Sequence, residues 1–218
     1  SQGDGLLSTF SFYYGHCMST LEGGMVCTDD SELYYLLVAL RAHGWAIDLP
    51  KAEAERWFAS GVNEDPFRER FTFYYPGFNV RGTDLQAFLG LRQLQTLDAR
   101  VAKRVVNAEY CRELLLKAGF EVQEPLDGDV AAPIGVGVLA DSAKKRRRIG
   151  VALSEAQIET RPVGGGNMAR QPFLAGYSFG PFPVADAIHE RGFQLPNGPH
   201  LSKQDIRRMV KVVAKAHA

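Results

Sequence analysis

The stretch Ser8 to Asp30, STFSFYYGHCMSTLEGGMVCTDD, restricts the fold more than any other part of the chain. From Leu7 to Tyr14, Ser, Phe and Tyr follow a period of two, the pattern of a pleated, partly buried strand. Tyr14, Gly15, His16 and Cys17 break that pattern. Glu22, Gly23 and Gly24 then supply a turn, and Met25 to Thr28 gives a second apolar run. Two strands of a sheet are therefore predicted, with the imidazole of His16 on the connection between them.

Helical periods follow. Ser31 to His43 has an acidic first turn, apolar residues at helical spacing and a closing His43-Gly44, so a helix of about 12 residues is predicted. Trp45 to Asn63 is mixed, and its charged run Lys51 to Arg56 reads as a solvated helix face. Thr83 is a natural N-cap for a helix over Asp84 to Thr96, with Asp84 at the positive end of its dipole. Asp98 to Ala118 predicts a long amphipathic helix that stops at Gly119. Strands are predicted at Gly119 to Glu124 and Ala132 to Leu139. A helix over Asp141 to Leu153 carries Lys144-Lys145-Arg146-Arg147-Arg148 as its wet face. A short helix from Phe182 to Arg191, a strand from Phe193 to Leu195 and a helix from Leu201 to Ala216 complete the chain, the last with Ser202 as N-cap and Asp205 in the capping-box position.

Composition excludes some partners. Lys+Arg and Asp+Glu are both 25 and the net charge is zero, which argues against nucleic acid or a membrane surface as a main partner. Cys17, Cys27 and Cys111 are scattered without CxxC spacing, so neither a disulfide framework nor a zinc site is indicated, and a cytoplasmic, reducing setting is expected. No His, Cys or carboxylate group shows metal-ligand spacing, and His189, His200 and His217 read as surface residues.

Two further motifs carry polar chemistry. Phe71 to Gln86, FTFYYPGFNVRGTDLQ, sets Asn79 among aromatic rings just ahead of the capped helix. Ile158-Glu159-Thr160-Arg161-Pro162 leads into Gly164-Gly165-Gly166-Asn167 and Arg170-Gln171-Pro172. Arginine forks suit two-point recognition of carboxylate or phosphate, although a glycine triplet by itself reports only a permissive backbone.

Together these motifs resemble the DegT/DnrJ/EryC1/StrS family of pyridoxal-phosphate-dependent sugar aminotransferases. In that family a strand ending Ser-Phe precedes the lysine that holds the cofactor, and Glu-Gly-Gly follows it. Ser11-Phe12 and Glu22-Gly23-Gly24 match, while His16 stands at the lysine position. The resemblance extends from Thr9 to Val213 and implies an α/β chain of the aminotransferase fold. It makes residues 1–97 the C-terminal part of the cofactor-binding large domain and residues 98–218 the small domain. It also implies that a preceding half, with the acidic residue that pairs with the pyridine nitrogen, lies outside this chain.

An imidazole has no primary amine and forms no Schiff base with the cofactor, but it moves protons near neutral pH. Within the family this exchange resembles the sugar 3-dehydratases, which use pyridoxamine phosphate to remove a hydroxyl. The lack of cysteines between Cys27 and Cys111 favours the branch without an iron-sulfur cluster, whose member acts on GDP-4-keto-6-deoxymannose in deoxysugar and lipopolysaccharide biosynthesis. The resemblance thus implies His16 as catalytic base and Ser11, Asn79 and Glu22 at the cofactor, Asn79 reaching its phosphate across a homodimer interface and Glu22 fixing the turn. Arg161, Asn167 and Arg170 are candidates for a nucleotide sugar or for glutamate as amino donor. A sugar-nucleotide aminotransferase, or a fragment of the fold without activity, stays open as the alternative.

Overall fold

A computed structural model describes residues 5–58, 66–69 and 71–217. The Ser1 to Asp4 start and residues 59–63 of the mixed stretch lie outside the described residues. The chain divides into two compact units, Ser1–Gln95 and Thr96–Ala218.

In the first unit β1 (Ser8–Ser11) and β2 (Gly24–Cys27) pair antiparallel, Ser8 opposite Cys27 and Ser11 opposite Gly24. β1 is shorter than the alternation predicts, because the backbone turns at Tyr14. Helix α1 (Ser31–Leu40) is capped by Asp30, whose carboxylate accepts the Glu32 and Leu33 N–H groups. It stops three residues short of His43, since His43 and Gly44 both take positive φ, +63° and +79°. α2 (Lys51–Phe58) and α3 (Pro66–Glu69) follow. On α2, Arg56 pairs with Glu53 and with Glu32 of α1.

Residues 78–80 then run beside the end of α1: Phe78 N–H donates to Leu40 O (2.7 Å) and Val80 N–H to Arg41 O (2.9 Å). The crossing is made backbone on backbone. A Cβ on Gly77 would overlap the nitrogen of Gly44, and one on Gly44 would overlap Tyr75 O. α4 (Asp84–Leu94) begins with a full Thr83/Gln86 capping box. Buried apolar side chains in this unit cluster around Val38 and Leu49.

The second unit starts with α5 (Leu97–Lys117), which ends at Gly119 in the left-handed region. Strands β3 (Glu121–Val122), β4 (Gly135–Leu139) and β5 (Gly192–Pro196) form an antiparallel sheet in that order. The register sets Val136 opposite Leu195 and Val138 opposite Phe193. All four side chains are buried with α5, α6 (Ala143–Glu155) and α8 (Lys203–His217), in a core that includes Leu115, Ile149, Leu153, Ile206 and Val213. α7 (Pro183–Arg191) runs directly into β5, so Gly192 caps the helix, its N–H donating to Ile188 O, and also opens the strand.

Polar anchors bind this unit at its edges. Asn107 and Arg104 are buried on α5 and hold the 197–201 loop, Asn107 Nδ2 donating to Gly198 O (2.9 Å) and Arg104 Nη1 to Asn197 O (2.6 Å). The basic run on α6 is more than a wet face, because Arg146 reaches Glu190 O and Arg148 donates to the Ala216 and His217 carbonyls. His217, expected as a surface residue, pairs with Asp141 (3.1 Å) and packs its ring on Phe120. No helix among the described residues is long and apolar enough to cross a membrane.

Candidate active site

Ser11, His16 and Glu22 share one loop of the first unit. Phe12 N–H donates to Gly23 O (2.9 Å) and Thr20 N–H to Phe12 O (2.8 Å), which closes the loop at its base. Inside it, His16 N–H donates to Tyr13 O (3.0 Å), and the half-buried imidazole stands edge-on to the Tyr13 ring at 6.2 Å. The ring is therefore held by backbone and aromatic contact and is not sealed in an apolar interior. Ser11 ends β1 with an exposed hydroxyl that accepts the Tyr13 N–H at 3.4 Å.

Glu22 fixes the turn through its carbonyl, which accepts from Thr20 Oγ1 (2.7 Å) and Gln86 Nε2 (2.8 Å), while its carboxylate side is exposed. Gln86 and Gln93, which the sequence reading left without a site role, clamp this loop from α4. The Gln93 side chain accepts the Ser19 N–H (3.1 Å) and donates to the Ser19 carbonyl, matching both groups of that residue. Gly90 lies between them on the same helical face, and a Cβ there would stand 3.3 Å from Thr20 Cγ2, so Thr20 nests against bare backbone. The spacing i, i+4, i+7 was visible in the sequence. Its partner, about 70 residues earlier, was not.

Asn79 is bridged to Ala42, with its side chain exposed. Nearby, Trp45 stacks on Phe73 at 5.1 Å, with His43 edge-on to both rings.

Arg161, Asn167 and Arg170 share one loop of the second unit. Arg161 is paired through its backbone with β5, Gln194 N–H donating to Arg161 O (2.8 Å), and its exposed guanidinium meets Glu159 at 2.9 Å. Asn167 is buried; its Oδ1 accepts the Ala169 N–H (2.9 Å) and its Nδ2 donates to Asp186 Oδ1 (2.9 Å). Arg170 pairs with Asp186 (3.4 Å) and Glu190 (3.1 Å). His189, expected on the surface, is half-buried and accepts the Asn167 N–H at Nδ1 (3.1 Å).

Among the described residues no group of three or more His, Cys, Asp or Glu is placed to hold a metal ion. Burial pushes the Cys111 thiol up to about 12, which leaves it protonated and inert in the core.

A sequence model of the DegT/DnrJ/EryC1/StrS aminotransferase family matches residues 3–214. The chain is similar to GDP-4-keto-6-deoxy-D-mannose 3-dehydratase of Yersinia pseudotuberculosis, 34% identical over 97% of this chain and 54% of that protein. It is also 34% identical to the protein of the same name from Escherichia coli O55:H7, over 79% of this chain and 44% of that one. Among solved structures, GDP-4-keto-6-deoxymannose-3-dehydratase with a trapped PLP-glutamate geminal diamine aligns with a TM-score of 0.84 at 30% identity, over 98% of this chain and 56% of that one. The chain spans about half the length of the curated relatives it matches.

Proposed function

The chain belongs to the DegT/DnrJ/EryC1/StrS aminotransferase family and has the α/β fold of its pyridoxal-phosphate-dependent members, and on that premise we propose that it forms part of a sugar-nucleotide 3-dehydratase. The observation that carries this reading is His16: a half-buried imidazole on a loop closed at its base and clamped by α4, in a chain whose first lysine is Lys51. Ser1–Gln95 would contribute to the cofactor domain and Thr96–Ala218 would be the small domain.

The donor set fits pyridoxamine phosphate held without a covalent bond. Ser11 offers an exposed hydroxyl at a strand end for the phosphate, Glu22 keeps the loop's turn, and no amine competes on the loop. Asn79 would reach the phosphate in a homodimer, which its exposed side chain on a rigid backbone pairing permits. When bound, the cofactor supplies the amine that meets the sugar's 4-keto group and the ring that accepts electrons.

The residues of the chain do the rest. Neutral His16 takes a proton at a ring nitrogen and, as imidazolium, delivers one to the departing C3 hydroxyl. Once the C3 hydroxyl has left as water, hydrolysis of the C4–N bond would release the nitrogen as ammonia, so the net result is loss of oxygen at C3. Arg161 would face the anionic nucleotide sugar, from the loop that it shares with Asn167 and Arg170. Glutamate would reload the amine, in keeping with the glutamate trapped in the solved relative. A cytoplasmic setting suits such substrates.

The test is to incubate the chain with pyridoxamine phosphate, glutamate and GDP-4-keto-6-deoxymannose, alone and with the portion of the Yersinia relative it does not cover. Ammonia release with a 3-deoxy sugar is expected. Stable transfer of the amine to the sugar would make it an aminotransferase, and no turnover in either mixture would leave an inactive part of the fold.

A further inference from the structure

We propose that Asp186 and His189 of α7 are positioning residues that lock the glycine loop 163–171 in its substrate-facing form, and that Asn167 and Arg170 serve this lock and do not touch substrate. The proposal rests on the dehydratase reading above. Asp186, His189 and Glu190 fall at i, i+3 and i+4, one face of the helix, and together they hold Asn167 and Arg170 of the loop. Asp186 Oδ1 accepts from Asn167 Nδ2 (2.9 Å) and faces the Arg170 guanidinium, which also pairs with Glu190. His189 Nδ1 accepts the Asn167 backbone N–H (3.1 Å).

Asn167 is withdrawn from solvent. Its oxygen caps Ala169 N–H, one of its amide hydrogens goes to Asp186, and the residue is only 5% exposed. A sugar would reach the rest of its amide only by opening the loop and breaking these bonds, at the cost of leaving polar groups unpaired. Gly166 seals the fit: its φ is +82° and a Cβ there would run into the His189 imidazole, so loop and helix meet with no intervening side chain. Glycines 164, 165 and 166 all take positive φ, a run of backbone with little intrinsic preference for one conformation. The polar contacts from α7 therefore add to the loop's own bonds, such as Gly166 N–H to Val163 O and Gln171 Nε2 to Gly165 O, in selecting the shape. The backbone of Arg161, by contrast, is fixed by β5 independently of the lock.

Acceptance at Nδ1 requires the neutral imidazole to carry its proton on Nε2. The first test is a long-range 1H–15N spectrum of the unmodified chain at about pH 8, where a free imidazole is neutral. The Nε2–H tautomer is expected for His189, and the Nδ1–H tautomer would overturn the lock. This reading needs no turnover.

The second test is kinetic. Asp186→Ala and His189→Ala should each raise KM for the nucleotide sugar roughly tenfold with kcat changed much less, the size expected for losing one buried bond to a charged or polar partner. His189→Asn, which returns an acceptor near the Nδ1 position, should recover most of that loss, whereas His189→Gln should not. Equal KM in all four variants, or a fall in kcat alone, would overturn the positioning role. If the unmodified protein shows no dehydration at all, the positioning role falls with the dehydratase reading, and the tautomer still decides whether the lock exists.

Discussion

Helices α8 and α4 are built on opposite plans. α8 turns Ile206, Met209, Val210 and Val213 into a closed core and leaves its charges in water. α4 turns Gln86, Gly90 and Gln93 toward its own unit and exposes Leu85, Phe88 and Leu91, at 66%, 59% and 67%. The units follow their helices: Thr96–Ala218 buries a sheet face under three helices, while Ser1–Gln95 holds its working loop by backbone bonds and amide clamps and leaves Phe10, Met25 and Val26 exposed. One unit is stabilised by what it excludes from water, the other by what it pairs. Exposed apolar side chains set at helical spacing, as on α4, mark a face suited to contact with another protein surface.

The severest challenge to this contrast is to separate the units. Thr96–Ala218 alone is expected to melt in one cooperative transition and Ser1–Gln95 alone to show none by calorimetry; a cooperative first unit would erase the distinction. Next in size is His16→Lys. It should cut dehydration by about 10²–10⁴-fold, because a general base is lost, and add visible absorbance with pyridoxal phosphate while the melting of the second unit stays fixed. Unchanged dehydration would remove His16 from the chemistry.

Leu115→Ala, in a fully buried site, should destabilise the second unit by about 2–5 kcal/mol in denaturant titration, and Val38→Ala in the sparse first unit by clearly less. Gln93→Ala removes both bonds to Ser19 and should cost about 1–3 kcal/mol of local protection, read as faster hydrogen exchange at Ser19. The smallest effect is acid sensitivity. Hydrogen bonds from Lys145 and from Ser202 hold Asp141 and Asp205 below the usual carboxylate range. A depressed carboxylate stabilises the fold above its unfolded pKa and ceases to do so as pH falls through its folded one. Fraying at the starts of α6 and α8 is therefore expected on acidification, followed by NMR. Fraying that sets in on raising the pH would reverse the assignment.

These contrasts also mark what could be read in advance. The α8 start was legible because Ser202 and Asp205 sit three residues apart and bond each other, Ser202 N–H to Asp205 Oδ2 at 2.9 Å. α5 and the Thr83 cap were legible for the same reason: their physics is local. α1 ran short because two consecutive left-handed residues, set by a distant crossing chain, overrode its apolar period. At the site, His16 stood out by residue type on a turn. Gln93 could not, since its partner Ser19 is 74 residues away, and neither could His189, whose partner is a main-chain group without any side-chain signature.

The seam between Gly44 and Gly77 bears on how the neighbourhood of Asn79 could be redesigned. Two strands of peptide that touch without side chains behave like a weld, with nothing to trim or enlarge. The reach of that amide is consequently insensitive to ordinary point changes nearby, and moving it would require lengthening or shortening the connections on either side.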